Sequence, residues 1–144
     1  MFGSKYISAK VEGDFAVFLI GARVNAWWKV HRWLPVARAM PRMLRELNEH
    51  PDLGMLGCES FFGRTSCLVQ YWRSKEHLLT YARSKDSEHL PAWRHFNRMV
   101  RGHGAIGIWH EIYTVQAGSY SNLYHDMPRF GLGRVGTTEE LRRG

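Results

Sequence analysis

Apolar residues recur along this chain in two rhythms. The run FAVFLIGARVN at 15–25 is dense in β-branched and aromatic side chains and too short for an isolated globular helix, so it predicts a strand buried over much of its surface. Over 33–50 the apolar positions are Leu34, Val36, Ala37, Met40, Leu44 and Leu47, a helical spacing with Arg and Glu on the opposite side. Pro35 suits the first turn of that helix, Pro41 is expected to kink or divide it, and Pro51 stops it. A turn at 52–54 leads into MLGCESFF and SCLVQYW on either side of Gly63, a β-hairpin pattern. Ser74, Glu76 and His77 begin a short helix with Leu78, Leu79 and Ala82 on its apolar side. A clearer helix follows: an approach through Asp86 to Glu88, Pro91 near the first turn, and Ala92, Trp93, Phe96, Met99 and Val100 before Gly102. GAIGIWHEIYTV at 104–115 is the fourth strand, and Gly118 ends it.

Taking the two shorter helices as one crossover, the order is strand, helix, strand, strand, helix, strand. That is an α+β fold of the ferredoxin-like split βαβ type, with one sheet face packed on helices. The order holds no third helix layer for the other face. Phe18, Ile20, Val69, Tyr71, Ile108 and Ile112 suit either face, so a second copy laid sheet against sheet is expected to complete the core, making a homodimer. Residues 1–14 form an arm or an edge element. The tail at 119–133, with Tyr120, Tyr124, His125, Met127 and Phe130, is too aromatic for a disordered end and is expected to pack as an arm over about 117–135, leaving 137–144 frayed.

The 144 residues (16.8 kDa) are enough for one core. The formal charge of +7 favours anionic partners, but the densest basic stretch, 29–45, is interrupted by Trp, Leu and Met at helical spacing rather than forming a stripe, so no nucleic-acid partner is expected. Cys58 and Cys67 read as buried thiols; if their strands form a hairpin they face each other closely enough that a disulfide is allowed but not required. With no signal-peptide pattern and no apolar span of about 20 residues, a cytoplasmic protein without a membrane partner is the expectation.

Four stretches, FFGRTSCLVQYWRSKEHLLTYARS at 61–84, HLPAWRHFNRMV at 89–100, GIWHEIYTVQAGSY at 107–120 and NLYHDMPRFGLG at 122–133, resemble the dimeric α+β barrel superfamily. That superfamily includes antibiotic-biosynthesis monooxygenases, EthD-like proteins and haem-binding relatives of chlorite dismutase. The closer resemblance is to a family of unknown-function domains labelled monooxygenase-like, and it covers a little under half of the chain. It implies oxidation of an aromatic or polyketide-like small molecule without an organic cofactor, the deprotonated substrate supplying electrons to oxygen. Haem, and with it a haem-binding enzyme or carrier, is the cofactor alternative that the superfamily implies. A non-catalytic small-molecule-binding dimer is the alternative from a different class. A dinucleotide is not expected: no GxGxxG opens a βαβ unit. The sequence also lacks HExxH, CxxCH and GxSxG motifs, and no metal site is expected.

Cofactor-free chemistry needs a dry aromatic pocket, donors to a developing anion and a base. His89, four residues before Trp93, is the first candidate base, with HLPAW implied by the resemblance to be a family signature. In the fourth strand alternation sends Trp109 and Glu111 to one face and His110 to the other. Glu111, among Ile108, Ile112 and Tyr113, is the second candidate base, its pKa raised if it is buried. Tyr81, one turn after His77, is a candidate to orient the anion, as is Tyr113, with His77 a weaker pocket candidate; Trp93 and Trp109 shape the pocket, and turns at Gly131 and Gly133 allow Phe130 to fold over its mouth or across the partner subunit. For haem, His77, His89 and His95 are equally placed as ligands. The bland alternatives are a capping or solvated His, an ion-paired Glu and a structural clasp. Trp27, Trp28 and Trp33, with Lys29, His31 and Arg32 among them, suit a pocket rim, a membrane-surface patch or a nucleic-acid stacking platform; pocket or core is the expectation, because the segment lacks the sustained amphipathic repeat of an interfacial helix and no RNA-binding signature accompanies it.

Overall fold

The computed structural model describes residues 5–84, 90–100 and 104–141. A four-stranded antiparallel sheet is built from β2 (Phe15–Val24), β3 (Met55–Phe61), β4 (Thr65–Trp72) and β5 (Ile106–Val115), in the order β3-β4-β2-β5. With α1 (Val30–Glu49), α2 (Lys75–Arg83) and α3 (Pro91–Met99) on one face, this is the ferredoxin-like arrangement that the periodicity predicts. The long helix α1 differs in detail. It begins at Val30, holds both Pro35 and Pro41 within it and is not divided. Each proline removes a helix hydrogen bond, but Val36, Ala39, Met40, Met43 and Leu47 are all buried, and that packing outweighs the local preference.

Register explains which residues meet the helices. Ala16, Phe18, Ile20 and Ala22 of β2, with Leu68 and Trp72 of β4 and Ile106 and Ile112 of β5, pack in two clusters with Met43, Leu47, Leu78, Tyr81 and Phe96 from the helices. The alternate positions form rows across the other face: Glu59, Val69, Leu19, Glu111; and Phe61, Cys67, Gly21, Trp109. Val69 and Tyr71 therefore belong to the outer face and the four isoleucine and phenylalanine candidates to the helix face. Cys58 pairs with Gln70 and Cys67 with Phe61, so the two thiols point to opposite faces and are free, correcting the facing pair that a simple hairpin suggests.

The largest departure is a second sheet. The N-terminal segment, expected as an arm or edge element, contributes β1 (Tyr6–Lys10), the central strand of this sheet, paired antiparallel with β6 (Tyr124–His125) and β7 (Thr137–Glu140), so the tail expected to fray is ordered as far as its described residues run. Tyr120 donates to Val11 O and accepts from Val11 N, while Asn122 exchanges two bonds with Ala9. Short helix α4 (Leu132–Val135) then sets Leu132 and Val135 against Tyr71, Val17 and Val11. The chain thus covers part of its own outer face, which the order of elements had left entirely to a partner.

Candidate functional site

Between helices and sheet the side chains form an aromatic stack. Tyr81 of α2 lies 5.5 Å, centroid to centroid, from Trp72 and 5.0 Å from Trp93 of α3, and Trp93 lies 6.3 Å from Phe96. Helical spacing aims Tyr81 inward beside Leu78, because Ser74 caps α2 through the backbone N–H of His77 at 3.1 Å and so fixes where the helix begins. Tyr81 is 5% exposed. Its hydroxyl and the indole N–H of Trp93 are buried without a hydrogen-bond partner among the described residues. Two such donors normally find acceptors, so their exposure to an apolar interior is an energetic debt that a ligand oxygen would settle.

Space lies on both sides of Tyr81. Inward is a void of about 40 Å³ lined by Phe18, Gln70, Leu78 and Trp93; outward is an open depression of about 230 Å³ lined by Leu53, Glu76, His77 and Thr80. The expected pairing of His77 with Tyr81 is therefore realised around one depression. His77 Nδ1 lies 2.6 Å from Ser74 Oγ, its ring sits against Gly54, and Nε2 makes no hydrogen bond among the described residues.

One residue of this site escaped the sequence reading. Glu46 is a buried carboxylate on the apolar side of α1, accepting the backbone N–H of Ala92 at 2.9 Å and of Trp93 at 3.0 Å. Leu90 cannot cap α3 with its own side chain, so Glu46 does so from another helix, and the helix N-terminus favours its charge. The available signal was an acid between Met43 and Leu47 in an apolar stripe. Burial first, and the Glu46 charge second, push the Tyr81 phenol well above its ordinary range, which keeps it a donor.

The remaining candidates lie elsewhere. His89 falls outside the described residues. Glu111 is exposed on the outer face, not buried among Ile108, Ile112 and Tyr113; Tyr113 Oη donates to it at 3.3 Å, and that charge raises the Tyr113 phenol. Trp109 lies on that same outer face, its ring against Gly21, and Tyr113 is 51% exposed. Phe130 meets Phe61 edge to face at 5.9 Å at the far side of the sheet, where Glu59 anchors the arm through Gly131 N and Arg134. Glu111, Trp109, Tyr113 and Phe130 are thus separated by the sheet from Tyr81 and Trp93: a strand alternates faces, and sequence proximity to a pocket residue does not choose between them.

Among the described residues no three His, Cys, Asp or Glu side chains are grouped to hold a metal ion. The inner void has room for about one or two waters, His95 is exposed, and the depression under His77 is below the roughly 300–1,000 Å³ of sites for drug-sized ligands. In this arrangement the described residues do not cradle a haem. No helix of the described residues is long and apolar enough to cross a membrane.

Fold and aromatic site together define a ferredoxin-like α+β domain with a helix-covered pocket face and a partly self-covered outer face. The chain belongs to the monooxygenase af470-like family, whose model matches residues 15–132. No curated protein matches it significantly in sequence. Among solved structures, an aldoxime dehydratase in complex with butyraldoxime is 16% identical, with a TM-score of 0.67 over 93% of this chain and 41% of that one. A second aldoxime dehydratase is 18% identical, with a TM-score of 0.62 over 93% of this chain and 42% of its own. A dimeric ferredoxin-like protein from an uncultured marine organism is 13% identical, with a TM-score of 0.46 over 72% of this chain and 96% of that one. The chain spans less than half the length of the two dehydratases, and at these identities the likeness is one of fold.

Proposed function

We propose that this protein oxidises a small aromatic molecule with molecular oxygen, without an organic cofactor, at the site divided by Tyr81. The observation that carries this reading is the pair of buried donors without acceptors, Tyr81 Oη and Trp93 Nε1, within an otherwise aromatic interior. Family membership supports the reaction class.

In this reading a phenolic substrate enters from the His77 side. His77, held by Ser74, takes a proton from an activated ring CH₂, and Tyr81 and Trp93 donate to the oxygen on which the negative charge develops. The carbanion adds to oxygen, and loss of water from the resulting peroxide leaves a carbonyl: CH₂ and O₂ become C=O and H₂O. His89 is a further candidate base, and Glu111, on the opposite sheet face, has no part at this site. The void and the depression are separated by the Tyr81 ring, so binding requires that ring or Trp93 to shift.

A homodimer belongs to the same proposal. Leu19, Val69 and Trp109 remain half-buried on the stretch of outer face beyond the arm, beside an exposed Tyr113, and a second copy would complete their burial. The test is oxygen consumption with a panel of polycyclic phenols in metal-free buffer, each product checked by mass for loss of two hydrogens and gain of one oxygen. Turnover that is lost in Tyr81→Phe supports the reading. Tight binding of the same phenols without oxygen uptake would instead make the protein a binding module, and a Soret band in freshly purified protein would make it a haem protein.

A further inference from the structure

We propose that the end of the sheet where the β2–α1 loop meets the β3–β4 hairpin docks on an anionic lipid bilayer. Trp27 and Trp28, expected in a pocket or core, are instead 65% and 64% exposed, and Phe62 at the hairpin tip is 69% exposed. Only Trp33 of that sequence cluster turns inward, its indole donating to Trp27 O at 2.8 Å. The loop and hairpin are one structural end: Val24 N donates to Arg64 O at 2.8 Å, Arg64 Nε donates to Val24 O at 3.3 Å, and Trp33 and Phe62 line a common apolar cavity of about 90 Å³. Indole rings held in water at this exposure favour the boundary between headgroups and acyl chains, where an apolar body and an N–H are both accommodated.

Charge selects the occupant. Arg23, Lys29 and Arg32 flank Trp27 and Trp28 along the chain and Arg64 lies two residues after Phe62 in the hairpin; all four are exposed, and none forms an ion pair among the described residues. The sequence has no Asp or Glu between Asp14 and Glu46 or between Glu59 and Glu76, and Glu46 and Glu59 are buried and bonded elsewhere. Exposed cations next to exposed indoles, with no exposed acid in the same loop and hairpin, complement anionic headgroups. It fits nucleic acid less well, because Trp27 and Trp28 meet at 85° and offer no pair of parallel planes between which a base could stack. It fits a symmetric second copy poorly, since cations would then face cations. The proposed contact is peripheral, and no helix of the described residues is long and apolar enough to span a bilayer.

The test is flotation of the full chain with vesicles of phosphatidylcholine alone or mixed with phosphatidylserine, at low and high salt. The expected result is capture by the anionic vesicles only, weakened by salt. Partitioning should fall on the order of tenfold in Trp27→Ser/Trp28→Ser and in Lys29→Glu/Arg32→Glu, with circular dichroism and assembly mass unchanged. The proposal is overturned by absence of capture, by unchanged capture of both variants, or by tighter binding to a single-stranded oligonucleotide than to vesicles. Loss of dimer mass in the tryptophan variant also overturns it, assigning the patch to a second copy.

Discussion

The Glu46 carboxylate on α1 accepts the backbone N–H of Trp93 at 3.0 Å, joining two helices far apart in sequence at the residue whose indole N–H is buried and unpartnered. The same carboxylate takes the Ala92 N–H at 2.9 Å, so both orphan donors of the first turn of α3 end on one charged group. Glu46→Gln keeps the volume but replaces one acceptor oxygen by a donor facing an N–H. A loss of about 2 kcal/mol in urea unfolding is expected. Stability within about 0.5 kcal/mol of wild type would show that the contact holds nothing.

Tyr81→Phe separates function from stability. The hydroxyl has no partner among the described residues, so removing it is expected to change unfolding free energy by less than about 1 kcal/mol. Turnover, or failing turnover the affinity for a phenolate ligand, should fall at least about tenfold. A variant that is strongly destabilised but binds normally would assign the hydroxyl a structural role.

Gly21 is where the outer face is made. A Cβ there would clash with the Trp109 ring and with Ser66 O, so Trp109 crosses β2 only because the position has no side chain. Gly21→Ala is expected to cost about 1–3 kcal/mol and to change Trp fluorescence. Because Trp109 borders the proposed dimer surface, the dimer should also weaken in sedimentation; a variant as stable and as associated as wild type would disprove this placement.

Alkaline pH should loosen the fold through Cys58. Burial pushes its thiol from 9.0 up to about 11, so the unfolded chain loses this proton first as pH rises. Unfolding is therefore favoured progressively between pH 9 and 11, while below 9 the thiol has no effect on stability. The contribution is about 2 kcal/mol at most, allowing for the water that reaches a half-buried thiol. Cys58→Ala should flatten this part of the stability profile relative to wild type, and an unchanged slope would place its origin elsewhere.

The main sheet and its helices were legible because their periods are local: alternation or dense β-branching in FAVFLIGARVN and SCLVQYW, Ser74 as a cap, Pro91 at the first turn of α3, and a stripe from Val36 to Leu47. The ferredoxin-like order follows from these elements and their connections. What only the tertiary structure decided depends on contacts between distant segments. Tyr6–Lys10 becomes a strand because residues 124–125 and 137–140 supply its partners, which no local rhythm announces. Trp27 and Trp28 go to solvent while Trp33 goes inward, although all three sit in one short stretch. Glu46 is buried because the first turn of α3 needs its oxygens, whereas Glu111 is exposed because its neighbours on β5 do not enclose it. The sequence by itself determined which residues could form each element and which types could do chemistry; packing decided which sheet face each one serves, because period-two alternation defines two faces without saying which is covered and by what.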